Sequence, residues 1–349
     1  MERKKLQINE FYQKQNKDMF RIAVLSLVTV ILFLASLFIG QYGIKVVDAI
    51  KAIFFIDNST QSESFRNIIF NIRLPRTISS AVIGGVLAIS GLTYQCVFRN
   101  NLVSQDILGV STSACVGAAL GIVMGMSAVS IQFLAFAFGI VNILFVFLLS
   151  SRIKLDKTLS LVLSGILIGG AMSSVLGLIK YMANPETHLQ AIVFWTMGDV
   201  SSVTYEQLLY IAFPVVVCTV IIFLKRWELN YFCYSDTEAK SLGINITMNR
   251  IIFIICSTVL VASAVSVSGS IGWVGLVIPQ LVRIIVGTNN KYTVPLTFLM
   301  GSSFLLVVDI INRLISSAEL PVSIISGIIG LPLFVACWFV NTKEKQVRF

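Results

Sequence analysis

Ten long apolar runs dominate the sequence and constrain the fold more than any other feature. They are Ile22–Gly40, Ile78–Val97, Ile107–Met126, Val129–Leu149, Leu159–Leu178, Leu208–Leu224, Ile251–Val267, Ile271–Val286, Val294–Val308 and Val322–Val340. Several approach the ~20 residues that a helix needs to cross the hydrocarbon core of a bilayer. A soluble domain could not hide so much apolar surface, since 56% of the 349 residues are hydrophobic and only 12% are charged. The pattern predicts an all-α polytopic membrane protein of about ten transmembrane helices.

The distribution of basic residues predicts which side of the membrane each loop faces. An even number of spans puts both termini on one side, and Lys and Arg concentrate in cytoplasmic segments. With a cytoplasmic N-terminus, 19 of the 26 Lys and Arg residues fall inside and 7 fall outside. The net charge of +9 then reflects topology, and no basic folded surface for nucleic acid is visible. We predict a cytoplasmic tail over residues 1–21, a single membrane domain over 22–341 with an inner loop at 228–249, and a cytoplasmic tail over 342–349.

The sequence holds few of the groups that perform chemistry. It lacks a G-x-x-x-x-G-K-[ST] motif, which argues against ATP binding through a P-loop in this chain. Its single histidine, His188, has no second metal ligand, and its six cysteines form no CxxC pair. The only carboxylate well inside a predicted span is Asp309, whose spacing to Arg313 predicts a helical ion pair rather than an ion relay. We therefore predict no catalytic site, no metal site and no cofactor in this chain, with the energy source in another subunit.

Two arginines stand at the start of the second run without an acidic residue close in sequence. Arg73 and Arg76 flank Pro75, a residue suited to the first turn of a helix. Together with Arg313 they fall among the outer basic residues, against the usual bias. Such charges either snorkel to the phosphates of membrane lipid or bind a partner, and guanidinium forks suit bidentate carboxylate recognition. Both interpretations remain open from the residues alone.

The inner loop that follows the sixth run contains a predicted short helix in "CYSDTEAKSLGINIT". Ser235 and Glu238 have the spacing of a capping box, and Gly243 is a natural C-terminal stop. A helix of about seven residues is marginal in water by itself, where ~12–15 residues are needed. We expect it to pack against this protein's own inner face or against a cytoplasmic partner.

Small residues recur at every fourth position of the fifth run. They are Gly165, Gly169, Ser173 and Gly177. Such a stripe predicts close packing of helices in a membrane, and the alternative is that it lines a pathway.

Taken together, five stretches resemble the FecCD-type permeases, the membrane subunits of ATP-driven importers of iron-siderophores, haem and vitamin B12. They are "RLPR…GGVLAISGLTYQ…RNNLVSQDILGVS", "EAKSLGI", "GSIGWVGLVIPQLVR", "VVDIINR" and "ELPVSIISGIIGLPLF". The resemblance runs from about Arg73 to Phe334. It implies ten helices per subunit and a second permease subunit, identical or homologous, around a central pathway. It also implies a cytoplasmic ABC ATPase dimer that binds ATP below and an extracytoplasmic solute-binding protein above.

The resemblance further implies roles for individual residues. As in the vitamin B12 importers of this family, the implied docking residues for the binding protein are Arg73, Arg76 and Arg313. The implied ATPase-coupling residues are Glu238, Ala239, Leu242 and Gly243. The implied cytoplasmic gate is Asn100, Leu102, Thr158 and Leu159. The family usually has proline at Asn101, histidine at Gln280 and serine near Leu159. These differences affect which side chains form the gate and do not affect membership of the family.

The expected function is therefore that of a multi-pass permease subunit in a bacterial-type cell membrane, inner or plasma. Its expected cargo is an iron-siderophore complex, with haem or cobalamin as the alternatives within the family. An ion-coupled secondary carrier is the rival from another class, and the lack of a mid-membrane relay counts against it. A purely structural anchor would leave the arginines and the inner helix unexplained.

Overall fold

The computed structural model describes residues 2–40, 60–241, 243–315 and 320–346, and within these ranges it contains helices and turns but no strand. The helices are α1 (Glu2–Phe38), α2 (Thr60–Asn67), α3 (Leu74–Val97), α4 (Val110–Val123), α5 (Ala128–Arg152), α6 (Lys157–Met182), α7 (Gln190–Met197), α8 (Tyr205–Lys225), α9 (Asp236–Ser241), α10 (Ile246–Ser268), α11 (Val274–Val286), α12 (Asn290–Ile315) and α13 (Val322–Gln346). Two π-helical turns, Ile68–Arg73 and Pro185–Leu189, and a 3₁₀ turn, Glu228–Cys233, join neighbouring helices.

Each predicted apolar run coincides with one helix of the described chain. Eight helical segments are long and apolar enough to cross a membrane, and the two shorter apolar helices are α4 and α11. The all-α membrane architecture is thereby confirmed. That all ten helices cross, and that both termini are cytoplasmic, remain predictions. The predicted tail over residues 1–21 continues directly into the first span, because α1 is a single helix from Glu2.

The helices α4 and α11 are shorter than the apolar runs that contain them. Polar side chains satisfy the non-helical backbone that precedes each helix. The chain is not helical at residues 107–109 and 271–273. Asn142 donates to the carbonyl oxygen of Leu108 at 2.7 Å, and Gln105 donates to that of Ile271 at 2.9 Å. Irregular backbone is tolerated at membrane depth where the protein satisfies its polar groups in this way. Hydropathy alone therefore overestimated the lengths of both helices.

Helix α3 is the centre of the bundle, and glycines allow its neighbours to approach it closely. A Cβ atom on Gly84 would lie 2.3 Å from the carbonyl oxygen of Gly301 in α12. A Cβ on Gly91 would lie 2.0 Å from that of Gly275 in α11. These distances are too short for any side chain, so the crossings require glycine. By contrast, α1 and α6 lie at the periphery, where few of their residues are fully buried.

Pro75 lies in the first turn of α3, as predicted, yet the helix does not begin there. Residues 60–97 form one continuous helical segment in which the π-helical turn Ile68–Arg73 directly precedes α3. A local widening of this kind accommodates the missing amide donor and the ring of proline within a helix. The turn also sets the directions in which Arg73 and Arg76 project.

Contacts between described connecting segments occur at two ends of the bundle. At one end Arg99 pairs with Asp236 and Lys157 donates to Thr247. The end with these contacts, here called the inner end, gathers segments predicted to be cytoplasmic. At the opposite, outer end the hydroxyl of Tyr205 donates to the carbonyl oxygen of Phe70. Both residues of this outer contact belong to segments predicted to face outward, and the orientation of the two ends remains a prediction.

Candidate functional site

The three predicted docking arginines lie at the outer end, and two of them share one carboxylate. Arg76 donates from Nε to Oδ1 of Asp309 at 2.7 Å, and Arg313 donates to the other carboxylate oxygen. The pairing of Asp309 with Arg313 confirms the ion pair predicted from their spacing. Asp309 is completely buried, and the arginines are 5–7% exposed. A carboxylate shared by two guanidinium groups offsets one of their two positive charges and accepts hydrogen bonds from both in the protein interior.

Two of these arginines, Arg73 and Arg313, hold the end of α1. Arg73 donates from Nη1 to the carbonyl oxygens of Leu37 at 3.1 Å and Phe38 at 2.9 Å. Arg313 donates to the carbonyl oxygen of Ser36 at 2.8 Å. The last carbonyls of a helix lack partners in the helix and carry partial negative charge, so cations stabilise them. The cluster thus fastens α1 to α3 and α12.

This burial bears on both interpretations of the arginines. Docking of a partner's carboxylate and anchoring to lipid phosphate each need guanidinium groups that reach the surface. In this conformation Arg73, Arg76 and Arg313 face the protein interior. An incoming anion would have to displace the acceptors within the chain. Docking therefore remains a prediction. The structure shows in addition that Arg73 and Arg313 hold the end of α1.

The predicted inner helix forms as α9, and its capping box is confirmed. The Ser235 amide donates to Glu238 Oε2 at 2.8 Å, while the Glu238 amide donates to Ser235 Oγ at 3.2 Å. Gly243 has φ of +75°, the left-handed conformation expected at a helix stop. Ala239 is fully buried whereas Glu238 is exposed. Leu242, the remaining predicted coupling residue, lies outside the described residues.

One face of α9 packs on the protein, and the face with Thr237, Glu238 and Ser241 is open to solvent. The packed face carries Asp236, which Arg99 contacts at 2.9 Å and Arg250 at 3.1 Å. Partial burial raises the pKa of Asp236, but the hydrogen bonds and charges of Arg250 and Arg99 outweigh it and hold the pKa below its ordinary value. Hydrogen bonds from Ser235 likewise hold the pKa of Glu238 below its usual range. The helix thus packs on its own protein and still offers a surface to a partner.

The predicted gate residues lie on two segments of the inner end. Asn100 accepts a hydrogen bond from the amide of Leu102 at 2.9 Å, and Leu102 is 55% exposed. Thr158 donates its amide to Asp156 at 2.9 Å in the first turn of α6, where Leu159 is 54% exposed. Both leucines are therefore apolar side chains at the surface of the isolated chain.

Sequence reasoning missed the glutamines that fasten the first of these segments. We define residues 100–105 as the gate segment. Gln280 donates to the carbonyl oxygen of Asn101 at 2.5 Å, and Gln95 donates to that of Val103 at 3.0 Å. An amide can satisfy a backbone carbonyl within a buried site, which apolar residues cannot do. The sequence did offer one signal for this contact, the glutamine at 280 where the family usually has histidine. A polar side chain in an apolar run needs a hydrogen-bond partner.

The small-residue stripe of α6 divides into two halves. A Cβ atom on Gly165 would lie 2.7 Å from the carbonyl oxygen of Ile107, and one on Gly169 would lie 3.2 Å from Cα of Gly109. Gly177 has nothing within 4 Å of such an atom, and Ser173 is exposed. The first half therefore packs against the segment before α4. The second half is open, as a pathway or a subunit contact would require.

The architecture and these sites define a class of protein. The described chain is a multi-pass helical membrane protein with glycine-packed helices, and no three His, Cys, Asp or Glu side chains converge within the described residues to hold a metal ion. Its inner end presents a short capped helix fixed to a loop, which suits a membrane transport subunit driven by a partner.

The comparisons with known proteins identify that class. The profile of the FecCD transport family matches residues 28–339, and the chain belongs to this family. The molybdate import permease MolB of Haemophilus influenzae is 36% identical over 91% of this chain and 94% of its own length. A Helicobacter pylori permease named for iron chelatin transport is 38% identical over 80% of this chain and 85% of its own length. Other relatives are named as hemin and vitamin B12 permeases.

A solved structure agrees with these relatives. A metal-chelate type ABC transporter in an inward-facing conformation matches with a TM-score of 0.83 and 36% identity, over 91% of this chain and 98% of that chain. The protein is accordingly a permease subunit of an ABC importer in the cell membrane, a transport component rather than an enzyme. Permeases of this kind work with a binding protein and with an ATPase that hydrolyses the ATP.

Proposed function

We propose that this chain forms the translocation pathway for an iron-siderophore complex. The observation that supports this cargo most directly is the 38% identity, across 80% of the chain, with a permease named for iron chelatin transport. The resemblance to a metal-chelate type transporter, which covers 98% of that chain, supports the same class of cargo. Haem and cobalamin remain alternatives within the family.

Molybdate is a second candidate, because one specific observation favours it. The molybdate permease of Haemophilus influenzae matches over 91% of this chain, a longer stretch than the iron chelatin relative covers. An iron-siderophore complex is a bulky chelate, whereas molybdate is a small oxyanion. The two cargoes therefore make different demands on the width and charge of a pathway.

Two permeases are proposed to line this pathway. The supporting observation is the exposed apolar surface of α6, where Ile166, Leu167 and Leu178 are each more than half exposed. Symmetric association of two copies, or of two homologous chains, would cover one such face. The open half of the small-residue stripe, which includes Gly177, lies on this helix.

The cargo can be tested with the complete transporter. The chain would be reconstituted in liposomes with its ATPase, its binding protein supplied on the outer side, and either a ferric siderophore or molybdate. We expect ATP-dependent accumulation of the ferric siderophore and none of molybdate. Accumulation of molybdate alone would overturn the cargo assignment and leave the family assignment intact.

The energy source is tested in the same liposomes. We expect uptake to require ATP and the ATPase subunit, and to survive collapse of the proton and sodium gradients at constant ATP. The reason is that the sequence has neither a P-loop nor a buried acidic relay at mid-membrane. Accumulation by the purified chain alone under an imposed ion gradient would instead establish a secondary carrier.

A further inference from the structure

Arg99 adopts a backbone conformation that side chains rarely occupy. It follows α3 with φ of 52°, in the left-handed region where glycine usually ends a helix. The amide of Asn100 reaches back to the carbonyl oxygen of Gln95 at 3.1 Å, and the amide of Arg99 to that of Cys96 at 3.2 Å. The helix therefore closes in a pattern for which glycine is the natural residue. An arginine at such a position indicates that its side chain has a role there.

The side chain of Arg99 reaches three acceptors around the start of α9. Its Nε donates to the carbonyl oxygen of Phe232 at 2.7 Å. Its Nη2 donates to the carbonyl oxygen of Tyr234 at 2.6 Å and to Asp236 Oδ1 at 2.9 Å. A planar guanidinium can hold several acceptors in a fixed geometry, which a lysine cannot do. The end of α3 is therefore rigidly joined to the segment that leads into α9.

Asp236 extends this connection to a third helix. Arg250 of α10 is 3% exposed and donates from Nη2 to Asp236 Oδ1 at 3.1 Å and to Oδ2 at 3.2 Å. The guanidinium carbon of Arg250 also lies 6.0 Å from the ring centroid of Phe232. The first residue of α9 is thus held between Arg99 and Arg250, and displacement of α9 would act on both.

The backbone of Arg99 leads directly into the gate segment. That segment is held from its other side by glutamines, including Gln280 of α11, which donates to Asn101. Gln105 donates to the carbonyl oxygen of Ile271, just before α11, at 2.9 Å. The gate segment therefore lies between two attachments, Arg99 toward α9 and the glutamines toward α11. Coupling between distant sites travels through contiguous contacts of this kind when they connect to an element with two states.

We infer that Arg99 is a positioning residue that transmits displacement of α9 to the gate segment. The inference rests on the proposed function, because it takes α9 as the element that a partner ATPase moves. A glycine at this position would end α3 equally well, but it would remove the side-chain connection between α9 and residues 100–105. Arg99→Gly consequently separates transmission from folding.

The test uses the assembled transporter with its ATPase and binding protein. Leu102→Cys serves as the reporter in a chain whose six native cysteines are replaced by alanine, since Leu102 is exposed and belongs to the gate segment. Maleimide labelling rates are measured without nucleotide and in the state trapped with ATP and vanadate. We expect Arg99→Gly to reduce the nucleotide-dependent change in rate by about 2- to 30-fold. ATPase binding, ATP hydrolysis and thermal stability should persist.

Further variants distinguish transmission from a local structural role. Arg99→Lys keeps the charge but not the three-point geometry, and it should give an intermediate change in labelling rate. Asp236→Asn removes the charge from one of the three acceptors of Arg99, so it should reduce the labelling change less than Arg99→Gly does. The loss in the double variant should be smaller than the sum of the two single losses, because the variants share the Arg99–Asp236 contact. Lys225→Gln is the matched control. It breaks the Lys225–Glu228 ion pair at 2.6 Å, also at the inner end, and should leave the labelling change intact.

Two results would overturn the inference, and they are distinguishable. If Arg99→Gly retains the full nucleotide-dependent change, Arg99 does not transmit displacement, while α9 remains the proposed ATPase contact. If the unmodified reporter chain binds the ATPase yet shows no nucleotide-dependent change at Leu102→Cys, the proposed coupling fails and the inference fails with it.

Discussion

Arg76 donates from Nε to Asp309 Oδ1 at 2.7 Å, although 233 residues separate the two in sequence. Arg313 occupies the other oxygen of the same carboxylate, and Asp309 has no exposed surface. Removal of this negative charge would take a hydrogen-bonded countercharge away from two buried guanidinium groups. Within the described residues, Asp309 therefore joins α3 to α12 at the outer end of the bundle.

Replacement of that carboxylate is the first prediction. Asp309→Asn keeps the shape of the side chain and removes its charge, and we expect it to destabilise the protein by about 3–5 kcal/mol. The measurement is thermal or denaturant unfolding in detergent. Glu63→Gln is the control, because Glu63 is exposed and its long 3.8 Å pair with Arg66 should contribute less than about 1 kcal/mol. Equal stability of the parent and Asp309→Asn would show that the carboxylate is dispensable.

The arrangement around Asp309 shows what the sequence could and could not predict. The apolar runs located the membrane helices, because hydropathy and helix length are local properties. The Asp309–Arg313 pair was predictable for the same reason, since it lies within one helical turn. The Arg76–Asp309 pair was not, because it depends on how α3 and α12 pack. A charge without a local partner indicated only that some partner was needed.

Local signals also served well at the inner end, and long-range contacts again escaped them. The capping box of Ser235 with Glu238 and the stop at Gly243 followed from residue types alone. The attachment of α9 to Arg99 did not, because more than 130 residues separate the two and nothing in their spacing relates them. Backbone conformation likewise stayed hidden, since an arginine in a glycine-like conformation gives no sequence signal.

The close crossing of α3 and α12 gives the second prediction. Gly84→Ala would place a methyl group against the backbone of Gly301, so we expect a loss of stability of about 1–3 kcal/mol or more. Gly170→Ala in α6 is the matched control because a Cβ there would meet nothing within 4 Å. That change should be neutral, or stabilising by about 0.5–1 kcal/mol through helix propensity. Unfolding in detergent measures both, and equal tolerance of the two alanines would contradict the packing argument.

Topology gives the third prediction. In a chain with its cysteines replaced, Thr237→Cys in α9 should resist an impermeant maleimide in sealed cells. Tyr181→Cys, at an 88% exposed position near the outer end, should react. The expectation rests on the concentration of Lys and Arg in the inner segments. Lysis of the cells should make Thr237→Cys reactive, which controls for accessibility. Labelling of Thr237→Cys in sealed cells would reverse the assigned orientation.

The lowered pKa of Asp236 gives the fourth prediction. Because the pKa is lower in the folded state, the ion pairs of Asp236 stabilise α9 fully above the unfolded pKa of about 4. That stabilisation is lost as the pH falls through the lowered, folded-state pKa. We expect pepsin to cut residues 228–249 more slowly in the parent than in Asp236→Asn at about pH 5, and we expect this difference to shrink as the pH is lowered toward about 2. A constant ratio of the two rates across this range would contradict the role of the charge.

The docking role of the arginines gives the last prediction, which distinguishes docking from clamping. If Arg73 binds a carboxylate of the binding protein, Arg73→Glu should weaken that affinity more than Arg73→Gln does, because like charges then face each other. The affinity of the parent should also fall as ionic strength rises, since salt screens exposed charges. Exchange of glutamate for arginine on the binding protein should partly restore affinity for Arg73→Glu.

Clamping alone predicts a different pair of results. Arg73 donates to the carbonyl oxygens of Leu37 and Phe38, so Arg73→Glu would place a negative charge beside the negative end of α1 and lower the stability of the chain. The affinity for the binding protein would then be unchanged in the molecules that remain folded, whatever charges the binding protein carries. Affinity at two salt concentrations and thermal stability, both measured in detergent, separate the two roles. If Arg73→Glu is less stable than the parent yet binds as tightly at low salt, Arg73 is a clamp for α1 and not a docking residue.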